Sequence, residues 1–128
     1  MKKIICIGHA TYDTTIPVDV YPIENTKMRY ENSYECGGGP AATAAYLLGK
    51  WHQDISFVGS LGNDYNGKRI LEEFKEVNVK TDLIDINEEI KTIFSFILAN
   101  KSNGKRTVIS VKDKNLKYSK NNEITADI

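Results

Sequence analysis

Hydrophobic and polar positions change their period several times along this 128-residue chain. Lys2 to Ile7 is a short apolar run that ends at a glycine, which is typical of a buried strand in a parallel sheet. Residues 16–20 and 28–36 then alternate between apolar and polar side chains, which predicts two amphipathic strands joined over 22–26. Pro17 cannot donate an N–H to a neighbouring strand, so we expect the first of these strands at a sheet edge.

The pattern becomes helical after the glycine run that ends at residue 39. Pro40 to Gly49 begins with proline, is rich in alanine and ends in glycine, which predicts a helix that is buried nearly all round. Residues 55–59 suit a second parallel strand, Asp64 opens another helix, and 80–86 suit a short strand. This alternation of strand and helix predicts a parallel α/β sheet with right-handed crossovers.

A second hairpin is predicted near the end of the chain. Residues 93–99 and 106–111 are strand-like, and Asn103-Gly104 between them is a favoured turn pair. We expect the two hairpins to pair with each other as a small sheet standing off the main one. Beyond Val111 the sequence becomes polar and rich in lysine.

Composition excludes several classes of protein. Hydrophobic residues make up 41% and charged residues 27%, as in ordinary soluble domains, and the formal net charge is zero. That balance argues against a nucleic-acid partner. The longest apolar run, 40–48, is about half a membrane span, and no secretory signal precedes it, so we expect a cytoplasmic protein without a membrane partner. Cys6 and Cys36 are expected to be buried thiols, and no metal-ligand spacing involves them.

Two features could carry chemistry. Gly37-Gly38-Gly39 lets the backbone approach a ligand closely, and the helix that follows offers free N–H groups; close packing is the alternative explanation. The run is neither a dinucleotide fingerprint nor a P-loop. Asp13 follows the carboxyl end of the first strand, where open α/β sheets bind ligands, and a carboxylate there can accept hydrogen bonds from sugar hydroxyls. A loop or capping aspartate is the alternative.

In this order the segments resemble the N-terminal part of the ribokinase-like (PfkB-type) carbohydrate kinase family. The similar segments are Ile4–Gly8 with Asp13 downstream, Gly37–Ala45, Phe57–Gly67, Val77–Val79, and Thr92–Ala99 followed by Gly104–Thr107. The resemblance covers residues 2–111. It implies one incomplete ribokinase-like α/β domain over 1–128, with the N-terminal part of the parallel sheet, a protruding β-hairpin lid formed by 15–36 and 92–111, and a polar tail over 112–128.

The resemblance also implies roles for individual residues. Asp13 would bind substrate hydroxyls, and Gly38 and Gly39 would present backbone amides to the sugar. The family often has a sugar-contacting asparagine where this chain has Ala42, so the substrate contacts at that position should differ. Lid positions that could face the substrate are Ile16, Phe94, Phe96 and Arg106.

The function implied is ATP-dependent phosphorylation of a hydroxyl group on a sugar or sugar derivative, with Mg²⁺ as the metal. The family's catalytic base lies in a Gly-Ala-Gly-Asp segment far downstream, and no glycine follows Gly104 here. We therefore expect no catalytic residue or donor site within 1–128, and no activity from this chain alone.

Two other functions stay open. One is a nucleoside kinase of the same superfamily, in which Tyr12, Phe94 and Phe96 would stack on a base. The other is a non-catalytic fragment that binds a small molecule. Because family lids pair between subunits and an incomplete sheet leaves an edge exposed, a homodimer through the lid strands or that edge is expected.

Overall fold

The computed structural model describes residues 1–128, which form eight strands and two helices. In chain order the elements are β1 (Lys3–Ile7), β2 (Thr11–Val18), β3 (Tyr34–Gly38), α1 (Pro40–Lys50), β4 (Asp54–Val58), β5 (Ser60–Gly62), α2 (Tyr65–Glu76), β6 (Asp85–Asn87), β7 (Ile93–Asn100) and β8 (Arg106–Val111).

The parallel layer predicted from the apolar runs is present. β1 pairs in parallel with β4, and β5 pairs in parallel with β6. Because Ile55 and Phe57 of β4 are fully buried, this strand lies at the centre of the layer. Helices α1 and α2 pack beside it, and the rings of Phe57 and Phe74 lie 5.0 Å apart between centroids. The buried cluster comprises Ala10, Tyr12, Ala42, Ala45, Ile55, Phe57, Leu61, Ile70, Phe74, Val79 and Ile84.

The remaining strands form a four-stranded sheet in the order β3-β2-β7-β8. β2 and β3 are antiparallel, β7 and β8 are antiparallel, and β2 pairs with β7 in parallel. The two hairpins therefore pair with each other, as the sequence predicted. Gly104 in the turn between β7 and β8 has a φ of 72°, a conformation that glycine adopts without steric cost.

The first hairpin differs from its prediction. Residues 28–33 are not a strand, and β3 covers only Tyr34–Gly38, while β2 begins already at Thr11. The pairing of β2 with β3 ends at Thr15, two residues before Pro17. Because Pro17 lacks the N–H that continued pairing would use, residues 19–33 form a long connection instead of a tight hairpin.

Two further predictions need correction. β2 is an internal strand, with β3 on one side and β7 on the other, so it is not confined to an edge. Only its end at Pro17, beyond the last β3 pair, has β7 as sole neighbour. The strand expected over 80–86 is split into a single bridge at Lys80 and the short strand β6. A turn separates them, because the N–H of Ile84 donates to the carbonyl of Thr81 at 3.1 Å.

Residues 112–128 contain no helix or strand, but they follow the surface of the parallel layer. The Tyr118 hydroxyl donates to the carbonyl of Leu83 at 2.7 Å. At the end of the segment, the N–H of Ile5 donates to the carbonyl of Ile128 at 2.9 Å, beside β1. None of the helices is both long and apolar enough to cross a membrane.

A network of hydrogen bonds joins the start of α2 to the start of β7. Asp64, the residue before α2, accepts from the N–H of Gly67 at 2.8 Å through Oδ1. The same carboxylate accepts from the hydroxyl of Thr92 at 2.7 Å and from its N–H at 2.9 Å. The Thr92 hydroxyl in turn accepts from the N–H of Gly62 at 2.9 Å. β7, the first strand of the second hairpin, is thus anchored to the parallel layer through Thr92, the residue that precedes it.

Candidate sugar-binding site

An open cavity of about 550 Å³ lies between the four-stranded sheet and the N-terminus of α1. We call the side of the sheet that lines it the cavity face, and the opposite side the reverse face. Residues of β2, the glycine run, β7 and β8 all contribute, so the cavity depends on the pairing of both hairpins. The lining residues that matter here are Thr11, Asp13, Gly38, Gly39, Ser95, Ser110 and Arg106.

Asp13 is the carboxylate of this cavity. It lies on β2 opposite Cys36 of β3 and Ser95 of β7, and it is half-buried. The Thr11 hydroxyl donates to its Oδ1 at 2.7 Å, which fixes the side-chain orientation. Its Oδ2 lies above Gly38, where a Cβ atom would overlap it. Glycine at position 38 therefore leaves room for a carboxylate that can accept hydrogen bonds from ligand hydroxyls.

Gly37, the residue before Gly38, leaves room for a second carboxylate on the other face of β3. The N–H of Gly37 donates to Oε2 of Glu73 on α2 at 2.7 Å, and a Cβ on Gly37 would overlap that carboxylate. Successive residues of a strand point to opposite faces, so Gly37 accommodates Glu73 while Gly38 accommodates Asp13. Because both glycines lack a side chain, β3 can lie between the carboxylates of Glu73 and Asp13.

Gly39 turns the chain from β3 into α1. Its φ is 95°, and a Cβ there would lie 2.6 Å from the carbonyl oxygen of His9. As the residue that caps α1 it supplies no side-chain hydrogen bond, and Pro40 follows at the first helical position. The backbone therefore approaches the cavity closely, with the positive end of the α1 dipole directed at it.

Hydroxyl and guanidinium groups complete the opposite wall. Ser95 and Ser110 lie opposite each other on β7 and β8, with their Oγ atoms 2.8 Å apart. Arg106 lines the same cavity farther along β8, opposite Ala99. The chemistry offered to a ligand is one carboxylate, several hydroxyls, backbone amides and one cation.

The structure brings four of the residues expected from the sequence into this cavity: Asp13, Gly38, Gly39 and Arg106. Ala42 is not among them. It is 5% exposed within the core and lines a smaller cavity of about 70 Å³ beside α2, which adjoins the open one at Gly38 and Thr43. Its place on α1 turns its side chain toward the parallel layer, while Thr43 next to it lines the open cavity.

The remaining lid positions are also not brought to the cavity. Asp13 pairs with Ser95 on the cavity face, so the alternation of side chains places Ile16, Phe94 and Phe96 on the reverse face. The rings of Phe94 and Phe96 contact each other edge to face at 5.8 Å. Tyr12 is on that face too; it is buried, packs against Tyr65, and accepts a hydrogen bond from Arg69.

The two cysteines are free, and neither is buried as expected: Cys6 is half-buried and Cys36 is exposed. Partial burial of its thiol, together with the nearby carboxylates of Glu73 and Asp13, raises the pKa of Cys36 above its ordinary value. The thiol is therefore protonated at neutral pH and is a poor nucleophile. No group of three or more His, Cys, Asp and Glu side chains is arranged to hold a metal ion.

The sequence patterns did not single out Thr11, Ser95, Ser110 or Glu73. A signal for the serines existed in β7, where Ile93, Ser95 and Ile97 alternate with Phe94, Phe96 and Leu98. That alternation separates the two faces, but the face that lines a cavity follows only from the pairing of β7 with β2. Glu73 gives no such signal, because it lies on a helix 36 residues away from its partner Gly37.

A parallel α/β layer that carries a sheet of two paired β-hairpins over an open cavity is the architecture of a ribokinase-like protein. The family model "pfkB family carbohydrate kinase" matches residues 1–127. The chain therefore belongs to the PfkB family of carbohydrate kinases.

Individual relatives support this membership. The chain is 30% identical over 108 residues to ketohexokinase of Mus musculus, covering 84% of this chain and 36% of the relative. It is 27% identical over 100 residues to ATP-dependent ribose-1-phosphate kinase of Halopiger xanaduensis, covering 78% and 34%. The crystal structure of fructokinase from Xylella fastidiosa with bound ATP is similar, with a TM-score of 0.68, 28% identity and coverage of 88% and 34%. The chain thus spans about a third of the length of these relatives.

Proposed function

We propose that this chain is the sugar-binding and lid portion of a kinase that transfers a phosphoryl group from ATP to a hydroxyl group of a sugar or sugar derivative. The observation that carries the proposal is the cavity in which the Asp13 carboxylate meets the Gly38 and Gly39 backbone under a sheet of two paired hairpins. A carboxylate held by a neighbouring hydroxyl accepts hydrogen bonds from two sugar hydroxyls, and the amides donate to others.

Each group in this chain would position the acceptor. Asp13 would orient the sugar through its hydroxyls, and the four-stranded sheet would cover it as a lid that excludes water from the transfer. Residues 1–128 contain no P-loop, and no group of three or more His, Cys, Asp and Glu side chains in them is arranged to hold a metal ion. ATP would supply the phosphoryl group, with Mg²⁺ as its counter-ion, and no step of that transfer is assigned to these residues.

We further propose that the 128-residue chain is inactive by itself. Phosphoryl transfer requires positioning of the donor and electrostatic stabilisation of the moving group. The chain spans about a third of its relatives, and no glycine-rich segment follows Gly104. The cytoplasmic location and the lack of a nucleic-acid partner stay predictions from composition.

The nucleoside alternative is less well supported by the geometry. A base would need an aromatic surface in the cavity, and Tyr12, Phe94 and Phe96 all lie on the reverse face of the sheet. Ile97 and Val108 line the cavity instead, and neither offers a ring for stacking. A sugar without a base therefore suits the cavity better.

Calorimetric titration of the 128-residue chain with ribose, fructose, adenosine and inosine tests the proposal. We expect saturable heats from at least one free sugar and none from the nucleosides. Incubation with the bound sugar and Mg-ATP should yield no phosphorylated product above the protein-free rate. Binding of nucleosides alone would reverse the order of the two functions, and turnover by this chain would show that its proposed inactivity is wrong.

We propose a homodimer through the reverse face of the four-stranded sheet. Phe96, Ile109 and Val111 on that face are 46%, 55% and 43% exposed and adjoin one another across β7 and β8. Covering such an apolar patch with a second copy removes it from water.

The substitution Ile109→Lys should convert the dimer to a monomer in size-exclusion chromatography with light scattering. Val108→Lys is the matched control, because Val108 is 48% exposed but lies on the cavity face. A wild-type chain that is monomeric at high concentration, or a dimer disrupted equally by both substitutions, would contradict this interface.

A further inference from the structure

A second, smaller cavity lies on the other face of β3 from Asp13, between β3 and the two helices. Its volume is about 70 Å³. Gly37 lines it, because the alternation along β3 that turns Gly38 toward Asp13 turns Gly37 toward α2. The proposed function assigns this cavity no part. The side chains that line it are Ala42, Thr43 and Tyr46 of α1 and Ile70, Glu73 and Phe74 of α2.

Glu73 is the only charged residue that lines this cavity, and it is not paired with a cation. Its Oε2 accepts a hydrogen bond from the N–H of Gly37 at 2.7 Å, and its Oε1 makes no hydrogen bond within the chain. A half-buried carboxylate without a counter-charge is costly, and a cation placed in the cavity would offset that cost. The ion pairs of the chain join other residues: Arg69 to Glu72, Lys80 to Asp54 and Lys101 to Asp19.

The rest of the wall is mostly carbon. Ala42, Ile70 and Phe74 are 5%, 2% and 2% exposed, and their side chains offer the cavity no polar group. Tyr46 adds an aromatic ring, and such rings attract cations. Lys50 places its Nζ 6.0 Å from the centre of that ring, but it neither lines the cavity nor pairs with Glu73. The cavity therefore suits a group that is apolar over most of its surface and positively charged at one end.

The volume of the cavity limits the ligand to about three non-hydrogen atoms. An apolar cavity of roughly 150 Å³ holds the ring of benzene, so a cavity of about 70 Å³ holds half as many atoms. A sugar is too large for it. A metal ion does not fit either, because hard cations take about six or more oxygen ligands. The only other side-chain oxygens that line the cavity are the hydroxyls of Thr43 and Tyr46.

We propose that this cavity binds a small primary alkylammonium ion, whose N–H group donates to Oε1 of Glu73 while its alkyl carbons contact Ala42, Ile70 and Phe74. A hydrogen bond between an ammonium and a carboxylate is charge-assisted and is about twice as strong as a neutral one. The N–H of Gly37 keeps Oε2 occupied, so the two carboxylate oxygens have separate partners. The inference is independent of the proposed function, because this site lies on the opposite face of β3 from Asp13.

Titration of the isotope-labelled 128-residue chain with ethylammonium chloride, followed by two-dimensional NMR, tests the site. We expect saturable shifts of the amide signals of Gly37 and Tyr46, with a dissociation constant in the millimolar range because so small a ligand gains little binding free energy. Glu73→Gln keeps an acceptor for the N–H of Gly37 but removes the charge, and it should weaken binding about tenfold or more. Ala42→Val adds two methyl groups to the wall and should abolish binding by filling the cavity.

Glu76→Gln is the matched control, because Glu76 is exposed on the same helix and does not line the cavity. It should bind ethylammonium as the wild-type chain does. Ethanol has a similar size without the charge, and tetraethylammonium has the charge but is too large, so neither should give saturable shifts.

The inference is overturned if the wild-type chain shows no saturable shifts with ethylammonium. It is also overturned if binding survives Glu73→Gln or Ala42→Val, or if Glu76→Gln weakens it as much as Glu73→Gln does. Equal binding of tetraethylammonium would contradict it as well, because that result would show a general attraction of cations to surface carboxylates.

Discussion

Replacing Asp13 with alanine is expected to weaken sugar binding by this chain about 100-fold, which corresponds to roughly 2.7 kcal/mol. The carboxylate would accept hydrogen bonds from two substrate hydroxyls, and each charge-assisted bond contributes about 1.5 kcal/mol or more. Asp13→Asn keeps one acceptor oxygen and should lose less. Calorimetric titration with the sugar that binds the wild-type chain measures both values.

A second variant, Gly38→Ala, displaces the Asp13 carboxylate without changing its charge. Gly38→Ala places a Cβ atom where Oδ2 of Asp13 lies, so the carboxylate must rotate away from the cavity. Because the overlapping atom belongs to a side chain, the strand itself can stay in place. We expect a loss of affinity of about tenfold or more with the fold retained by circular dichroism.

Asp19→Asn is the control for these variants, because Asp19 is an exposed aspartate whose partner is Lys101. It should bind sugar as the wild-type chain does. If Asp13→Ala also retains wild-type affinity, Asp13 is a structural residue of β2 and the site has been misassigned.

Asp64→Ala is expected to cost about 2–3 kcal/mol in the free energy of unfolding. Loss of a helix cap costs about 1 kcal/mol, and a buried hydrogen-bonding group left without its partner costs about 1–3 kcal/mol. The Asp64 carboxylate accepts hydrogen bonds from the N–H of Gly67 and from both the N–H and the hydroxyl of Thr92. Thr92 is only 1% exposed. Denaturant unfolding followed by circular dichroism gives the difference.

The same carboxylate makes stability depend on pH. Burial alone would raise the pKa of Asp64, but the hydrogen bonds from Thr92 and Gly67 outweigh it and hold the pKa below its ordinary value. The stabilising contribution is therefore complete above the ordinary pKa of about 3.9 and is lost as the pH falls through the lower value in the folded chain. The difference between wild type and Asp64→Ala should shrink below about pH 4.

Asp82→Ala provides the comparison for Asp64, because Asp82 is exposed and its carboxylate has no hydrogen-bond partner. It should change stability by less than about 0.5 kcal/mol. An Asp64→Ala variant as stable as Asp82→Ala would show that the junction of α2 and β7 does not depend on this carboxylate.

Much of the fold could be predicted from local patterns. The apolar runs at Ile4–Ile7 and Ile55–Val58 became the paired strands β1 and β4, and the alanine-rich segment after Pro40 became α1. These elements form where the hydrophobic period of the sequence and the positions of proline and glycine indicate the same secondary structure. Of the strand expected over 28–36, residues 28–33 did not form because their alternation had no partner: β2 stops pairing with β3 at Thr15.

The residues of the candidate site likewise divide into those that local patterns predict and those that depend on strand pairing. Asp13 and the glycine run could be predicted because a carboxylate after a first strand and glycines before a helix are local features. Ile16, Phe94 and Phe96 could not be assigned a side of the sheet from the sequence, since the alternation of a strand does not say which face meets a cavity. The register of β2 with β7 decided it, and placed Ser95 rather than its aromatic neighbours beside Asp13.

The amino-acid sequence alone predicted the order of the helices and of every strand except β5, the family to which the chain belongs, and Asp13, Gly38 and Gly39 as candidate ligand-binding residues. Hydrophobic periodicity and backbone freedom act over a few residues, so they can be read directly along the chain. Only the tertiary structure decided that Ala42 is buried, that Ser110 and Arg106 share a cavity with Asp13, and that Glu73 holds Gly37. Those contacts join residues far apart in the chain, and they exist only once the strands have paired and α2 has packed against them.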